Sequence, residues 1–132
     1  MSEKKYEKCV VTQPKIIDEF DAHVPGKYQI LMDNELVPGS DFFIAGGIHQ
    51  KIHQECPIAY KHYHDQSEAY LYISKPGDAE IEVTLEDETY RATTPCAVYI
   101  PKGVKHTYRY LRIDGPLTVV AIVQNGEYIP KK

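Results

Sequence analysis

Residues 62 to 68 read HYHDQSE: two imidazoles one residue apart, then a carboxylate four places after the second. If residues 60 to 72 run extended, side chains alternate and every even-numbered one points the same way. Tyr60, His62, His64, Glu68, Tyr70 and Tyr72 then share a face. A glutamate on an otherwise aromatic, inward face is costly unless something cationic compensates it. A divalent metal held with the two histidines would do so. Two imidazoles and a carboxylate suit iron, manganese, nickel, cobalt or zinc, and three protein ligands normally leave positions for water or substrate. The competing reading, a polar loop with solvated histidines, is the commoner explanation for such a stretch taken alone. A further ligand has to come from His23, His49, His53 or His106. His106 is the best placed, because PKGVKH puts a proline and a glycine into a tight turn whose far end starts a strand at a histidine. Tyr108 and Tyr110 fall on that histidine's side.

The elements that must position these groups read as β-strands. FFIAGGI (42 to 48), EAYLYIS (68 to 74), AEIEVTLE (79 to 86), ETYRA (88 to 92), CAVYI (96 to 100), HTYRYLRI (106 to 113) and LTVVAIVQ (117 to 124) are rich in β-branched and aromatic residues, with turn residues between them. Seven or more closely spaced strands predict an all-β sandwich or barrel. In AEIEVTLE, Ile81, Val83 and Leu85 share one face and Glu80, Glu82, Thr84 and Glu86 the other, the pattern of a strand with one side in water. EAYLYIS is non-ionic on both faces after Glu68, which predicts a strand buried on both sides. Before residue 42 the chain is less legible: residues 1 to 14 read as a peripheral arm, IIDEF (16 to 20) as the start of a short helix, and VPGSD (37 to 41) as a turn or loop.

Two motifs together carry a family resemblance. His62-x-His64-x3-Glu68, followed by a β segment and Gly77, resembles the first signature of the cupin superfamily, and Pro101-x-Gly103-x2-His106 resembles the second. The resemblance spans residues 56 to 110, and the sequence departs from the pattern at Cys56, Pro95 and Tyr110, and in the late position of Gly77. It implies a cupin-type jelly-roll β-barrel of antiparallel strands with an irregular or partly helical N-terminal segment, one domain over residues 1 to 132 with its metal-binding core at about 42 to 124. It also implies that His62, His64, Glu68 and His106 bind one divalent transition metal per chain (Fe, Mn, Ni or Zn) inside the barrel.

Among the 11 tyrosines, Tyr60, Tyr72, Tyr108 and Tyr110 fall in phase with these ligands and are expected to line the pocket, with His49 and His53 as further candidates. Tyr70 is the candidate catalytic base or anion-stabilising donor, because a phenol near a divalent cation can have its pKa lowered. No arginine is placed in phase with the site: Arg109 falls opposite His106 on its strand, and the sequence does not orient Arg91 and Arg112. A small neutral, phenolic or monoanionic substrate is therefore expected. The net charge of -4, without a basic block, argues against nucleic acid. The apolar runs are too short to cross a bilayer, and MSEKKYEKC lacks the core of a signal peptide, so a cytoplasmic protein is expected. The three cysteines form no CxxC pair, in keeping with a reducing compartment. Exposed sheet edges suggest a homodimer. The functional expectation is a metal-dependent enzyme for a small oxygenated molecule, possible as a dioxygenase, as a lyase, isomerase or decarboxylase using a tyrosine base, or as a non-catalytic ligand-binding cupin.

Overall fold

The computed structural model describes residues 4–17, 28–52 and 60–132. Among the described residues, nine strands follow a 3-10 turn at Glu7–Cys9: β1 (Lys15–Ile17), β2 (Tyr28–Met32), β3 (Phe43–His49), β4 (Glu68–Ile73), β5 (Ala79–Leu85), β6 (Glu88–Thr93), β7 (Cys96–Ile100), β8 (His106–Ile113) and β9 (Leu117–Val123). They form a six-stranded sheet in the order β1-β2-β3-β9-β4-β7 and a three-stranded sheet in the order β6-β5-β8. Every pairing is antiparallel. The chain passes between the two sheets at β4–β5, β6–β7, β7–β8 and β8–β9, which is the jelly-roll way of closing a barrel.

Side-chain alternation decides what lies between the sheets. Tyr70, Tyr72, Leu117, Val119 and Ile100 of the larger sheet pack with Ile81, Val83, Tyr108 and Tyr110 of the smaller one in a single buried cluster. Glu80 and Glu82 point away from it, and Glu82 accepts a 2.8 Å hydrogen bond from Arg109 on the neighbouring strand. The pattern seen in AEIEVTLE is thus the pattern of the fold.

Two expectations change. β4 is buried on one face only: Glu68, Tyr70 and Tyr72 are buried, Ala69 and Leu71 are half-buried, and Ile73 is 51% exposed. Apolar character alone cannot tell a covered face from an outer one. Ile16 and Ile17 lie in β1, paired with Gln29 and Tyr28, rather than in a helix; the rest of IIDEF lies outside the described residues. The VPGSD stretch is a turn, with Gly39 at φ 86°.

Candidate metal centre

His62 and His106 are brought together by the backbone. The two residues pair in an isolated antiparallel bridge, with His106 N–H donating to the His62 carbonyl at 2.8 Å and His62 N–H to the His106 carbonyl at 3.1 Å. Directly opposed residues on antiparallel strands project their side chains to the same face. The PKGVKH turn fixes the partner strand: Gly103 adopts φ 79°, a left-handed conformation that side chains disfavour, and its N–H donates to the carbonyl of His64 at 2.8 Å. One turn therefore sets the position of His106 and ties down His64. Glu68 opens β4, held between Ile100 of β7 and Val123 of β9.

The side chains converge. All three histidines are at most 3% exposed and Glu68 is 2% exposed. One ligand atom from each of His62, His64 and His106 lies within 4.8 Å of the others. Glu68 Oε1 is 2.8 Å from His106 Nε2 and 3.7 Å from His64 Nε2. His62 Nδ1 sits 2.6 Å from the carbonyl of Tyr60, and His106 Nδ1 2.9 Å from that of Val104. Carbonyls only accept, so each Nδ1 carries the proton and donates, and each Nε2 presents its lone pair inward. A neighbour that fixes the tautomer in this way is the usual second partner of a metal-binding imidazole.

The donor set fits a metal. Glu68 Oε1 and His106 Nε2 are both fully buried, and neither finds a hydrogen-bond partner among the described residues despite their 2.8 Å separation. Their distance is right and their alignment is wrong for a hydrogen bond. Ligands bound at about 2.0 to 2.1 Å in tetrahedral or octahedral geometry stand roughly 3 Å apart, which is the spacing of these atoms. Leaving two buried polar atoms unsatisfied costs on the order of 1–3 kcal/mol each, a cost that a shared cation would remove.

The remaining candidates distribute unevenly. Tyr70 is buried beside the ligands, its ring 6.0 Å from that of His106. Tyr72, Tyr108 and Tyr110 are also buried and continue the barrel filling away from the ligands, with Tyr70–Tyr108 ring centroids at 5.0 Å and Tyr108–Tyr110 at 5.8 Å. Tyr60 is not in the pocket: its side chain is 57% exposed, because a bend at Lys61 breaks the alternation before His62. A second bend at Asp65 and Gln66 separates His64 from Glu68 without removing Glu68 from the inner face. His49 stacks on Tyr110 at 5.4 Å but lies at the other end of the sheet. Phe43 and Glu68 are both opposite Val123, whereas His49 is opposite Leu117, six residues and about 20 Å along β9. His53 and His23 lie outside the described residues.

Burial pushes the Tyr70 phenol well above its ordinary value, and the neighbouring Glu68 carboxylate pushes it the same way. Burial also raises Tyr72 and Tyr108. Left to these surroundings Tyr70 keeps its proton, the state required for the donor of the two roles expected from the sequence.

One residue of the site went unnoticed in the sequence. Tyr128, beyond β9, points its hydroxyl at His62 Nε2 at 3.1 Å, and its ring centroid is 5.0 Å from that of His64. It belongs to no motif and to no alternating run, so only its chain position after a strand that borders the site hinted at it.

At the sequence level no family model and no curated protein matches the chain. Solved structures do. A serine-to-alanine variant of Bacillus subtilis oxalate decarboxylase aligns with a TM-score of 0.58 at 17% identity, covering 90% of this chain and 29% of that one. A cupin 2 conserved barrel domain protein from Rhodopseudomonas palustris aligns at 0.57 with 12% identity, covering 90% and 75%. A cupin-2 domain protein from Rhodospirillum rubrum aligns at 0.60 with 10% identity, covering 98% and 78%. The chain thus spans under a third of the decarboxylase and about three quarters of the other two. Among the described residues, no helix is long and apolar enough to cross a membrane. The chain thus has the fold of these cupin domains.

Proposed function

We propose that the protein is a metal-dependent enzyme acting on a small oxygenated organic molecule, with dioxygenase chemistry as the leading reading. The observation that carries it is the buried convergence of His62, His64 and His106, with Glu68 Oε1 2.8 Å from His106 Nε2 and neither of these two atoms hydrogen-bonded among the described residues. A divalent transition metal held there would supply Lewis acidity toward a substrate carbonyl, enolate or carboxylate and, as iron or nickel, a route for its reaction with oxygen.

The chain's own groups define the rest. The Tyr60 and Val104 carbonyls orient two of the imidazoles. Tyr70, Tyr72 and Tyr108 exclude water from the barrel beyond them, and Tyr70 offers a proton donor at its edge. The chain's three arginines are engaged elsewhere: Arg91 and Arg109 pair with Glu82, and Arg112 with Asp114. Strongly anionic substrates normally need such a group, so a neutral, phenolic or monoanionic substrate fits best.

The experiment is oxygen uptake by iron-loaded protein against a panel of phenolic and β-dicarbonyl compounds, with manganese-loaded protein in parallel. Manganese is the second metal to load because oxalate decarboxylase, one of the structural neighbours, is described with Mn(II) centres. Uptake that needs both iron and substrate is expected. Turnover that proceeds equally without oxygen would move the reading to decarboxylation or elimination. Binding without turnover would leave a ligand-binding cupin.

The reading includes a homodimer. The outer face of the larger sheet presents aligned rows without a charge, Ile44, Ile122, Ala69 and Tyr99 in one and Gly46, Val120, Leu71 and Ala97 in the next. Ile48, Ile73 and Tyr99 on this face are each more than half exposed. Contiguous apolar surface of this kind marks an interface, and a second copy brings a face of the same character. Light scattering should give twice the chain mass, and Leu71→Lys should give a monomer that keeps its fold. A monomeric wild-type protein at micromolar concentration would end this part of the reading.

A further inference from the structure

The chain after β9 crosses one end of the barrel as a strap. Gln124 N–H donates to the Ser67 carbonyl at 3.2 Å, and Asn34 N–H donates to the Gly126 carbonyl at 2.8 Å. Further on, Lys131 and Tyr63 exchange two backbone hydrogen bonds at 2.7 and 2.8 Å, and the Lys131 ammonium pairs with Asp65 at 2.6 Å. Tyr128 lies between these anchor points.

Its ring forms a partition. On one side it stands 5.0 Å from His64 and its hydroxyl reaches His62 Nε2. Because His62 Nδ1 already donates to the Tyr60 carbonyl, Nε2 is the acceptor and Tyr128 Oη the donor. The phenol therefore covers the lone pair that the site aims inward. On the other side the ring stands 5.0 Å from Phe43 and forms part of the wall of a surface cavity of about 320 Å³, which Lys15, Ile17, Ile30 and Glu127 also line. That volume is within the range of small-ligand sites. Past the ligands in the opposite direction, the barrel is filled by buried Tyr70, Tyr72 and Tyr108. Among the described residues, the Tyr128 ring lies between the cavity wall and the imidazoles, whereas several tyrosines fill the other side.

We propose that Tyr128 is the gate of the metal centre: the strap holds its ring between the surface cavity and His62, and a metal ion or small uncharged or monoanionic ligand arriving from that cavity must displace it. The proposal rests on the metal-centre reading above. Its determinant is the ring, which fills the passage, while the hydroxyl bonds His62 Nε2 only in the metal-free protein, since a bound ion takes that lone pair.

The test is the rate at which a chelator strips manganese(II) from the loaded full-length protein, measured alongside initial metal content. Tyr128→Ala should load as much manganese as wild type and release it roughly tenfold faster or more, because access no longer waits for local opening of the strap. Tyr128→Phe keeps the ring and should stay close to the wild-type rate. Val83→Ala, in the buried core between the sheets, loosens the fold without touching the passage and should leave the rate unchanged. Equal rates for Tyr128→Ala and wild type at equal metal content would overturn the gate alone, as would equal acceleration by Val83→Ala. Absence of metal from all four proteins would overturn the metal-centre reading and the gate with it.

Discussion

Removing the metal should lower the melting temperature of this protein by about 10 °C or more. A ligand that binds only the folded state stabilises it by RT ln(1 + [L]/Kd), about 4 kcal/mol at a thousandfold excess over Kd. For domains of about this size each kcal/mol moves the melting temperature by a few degrees, on the order of 2–8 °C. The prediction is specific because the ligands come from separate parts of the fold: His62 and His64 precede β4, Glu68 opens it and His106 opens β8. A cation bound by all four cross-links the two sheets, since β4 belongs to the larger and β8 to the smaller. Thermal melts of metal-loaded protein with and without excess chelator measure the shift. His106→Ala should melt at the same temperature in both conditions. A wild-type melt indifferent to chelator would mean that the four groups bind no metal that matters to the fold.

Replacing Glu68 by leucine should have opposite effects on the two states. In metal-free protein, Glu68 Oε1 is buried without a hydrogen-bond partner among the described residues. Such a group costs about 1–3 kcal/mol, and an apolar side chain of similar size in its place removes that cost. Glu68→Leu should accordingly gain about 1–3 kcal/mol in urea unfolding under chelator, while losing most of its affinity for metal. Glutamate at this position would then be retained for the site at the expense of the fold. A Glu68→Leu protein less stable than wild type in chelator would show that the carboxylate is satisfied in the metal-free state and that the inward-facing atoms are not a metal-shaped arrangement.

The sequence carried the strands well because alternation is a local property. Ile81, Val83 and Leu85 against Glu80, Glu82 and Thr84 in β5 need no knowledge of the partner sheet to be oriented. The convergence of the histidines was legible for a related reason, since His62 and His64 share a parity and the turn at Gly103 announces the strand that His106 begins. Parity fails where the chain bends. Tyr60 shares the even phase of His62 on paper, but the bend at Lys61 turns its side chain outward. The outer face of β4 misled in a different way, because Leu71 and Ile73 are as apolar as a covered face would require. Tyr128 was illegible because it depends on the strap docking beside residues 63 and 34, a contact between distant parts of the chain with no periodic trace. The direction of the Tyr70 shift depends on burial among other phenols, which spacing cannot supply.

The most direct measurement is elemental analysis of protein purified without a histidine tag, together with His62→Ala and His106→Ala. The account predicts about one divalent transition metal per chain in the wild type and almost none in either variant, because each removes a ligand from one shared ion. No metal in the wild type, or an unchanged amount in both variants, would contradict the assignment of His62, His64, Glu68 and His106 as a metal centre.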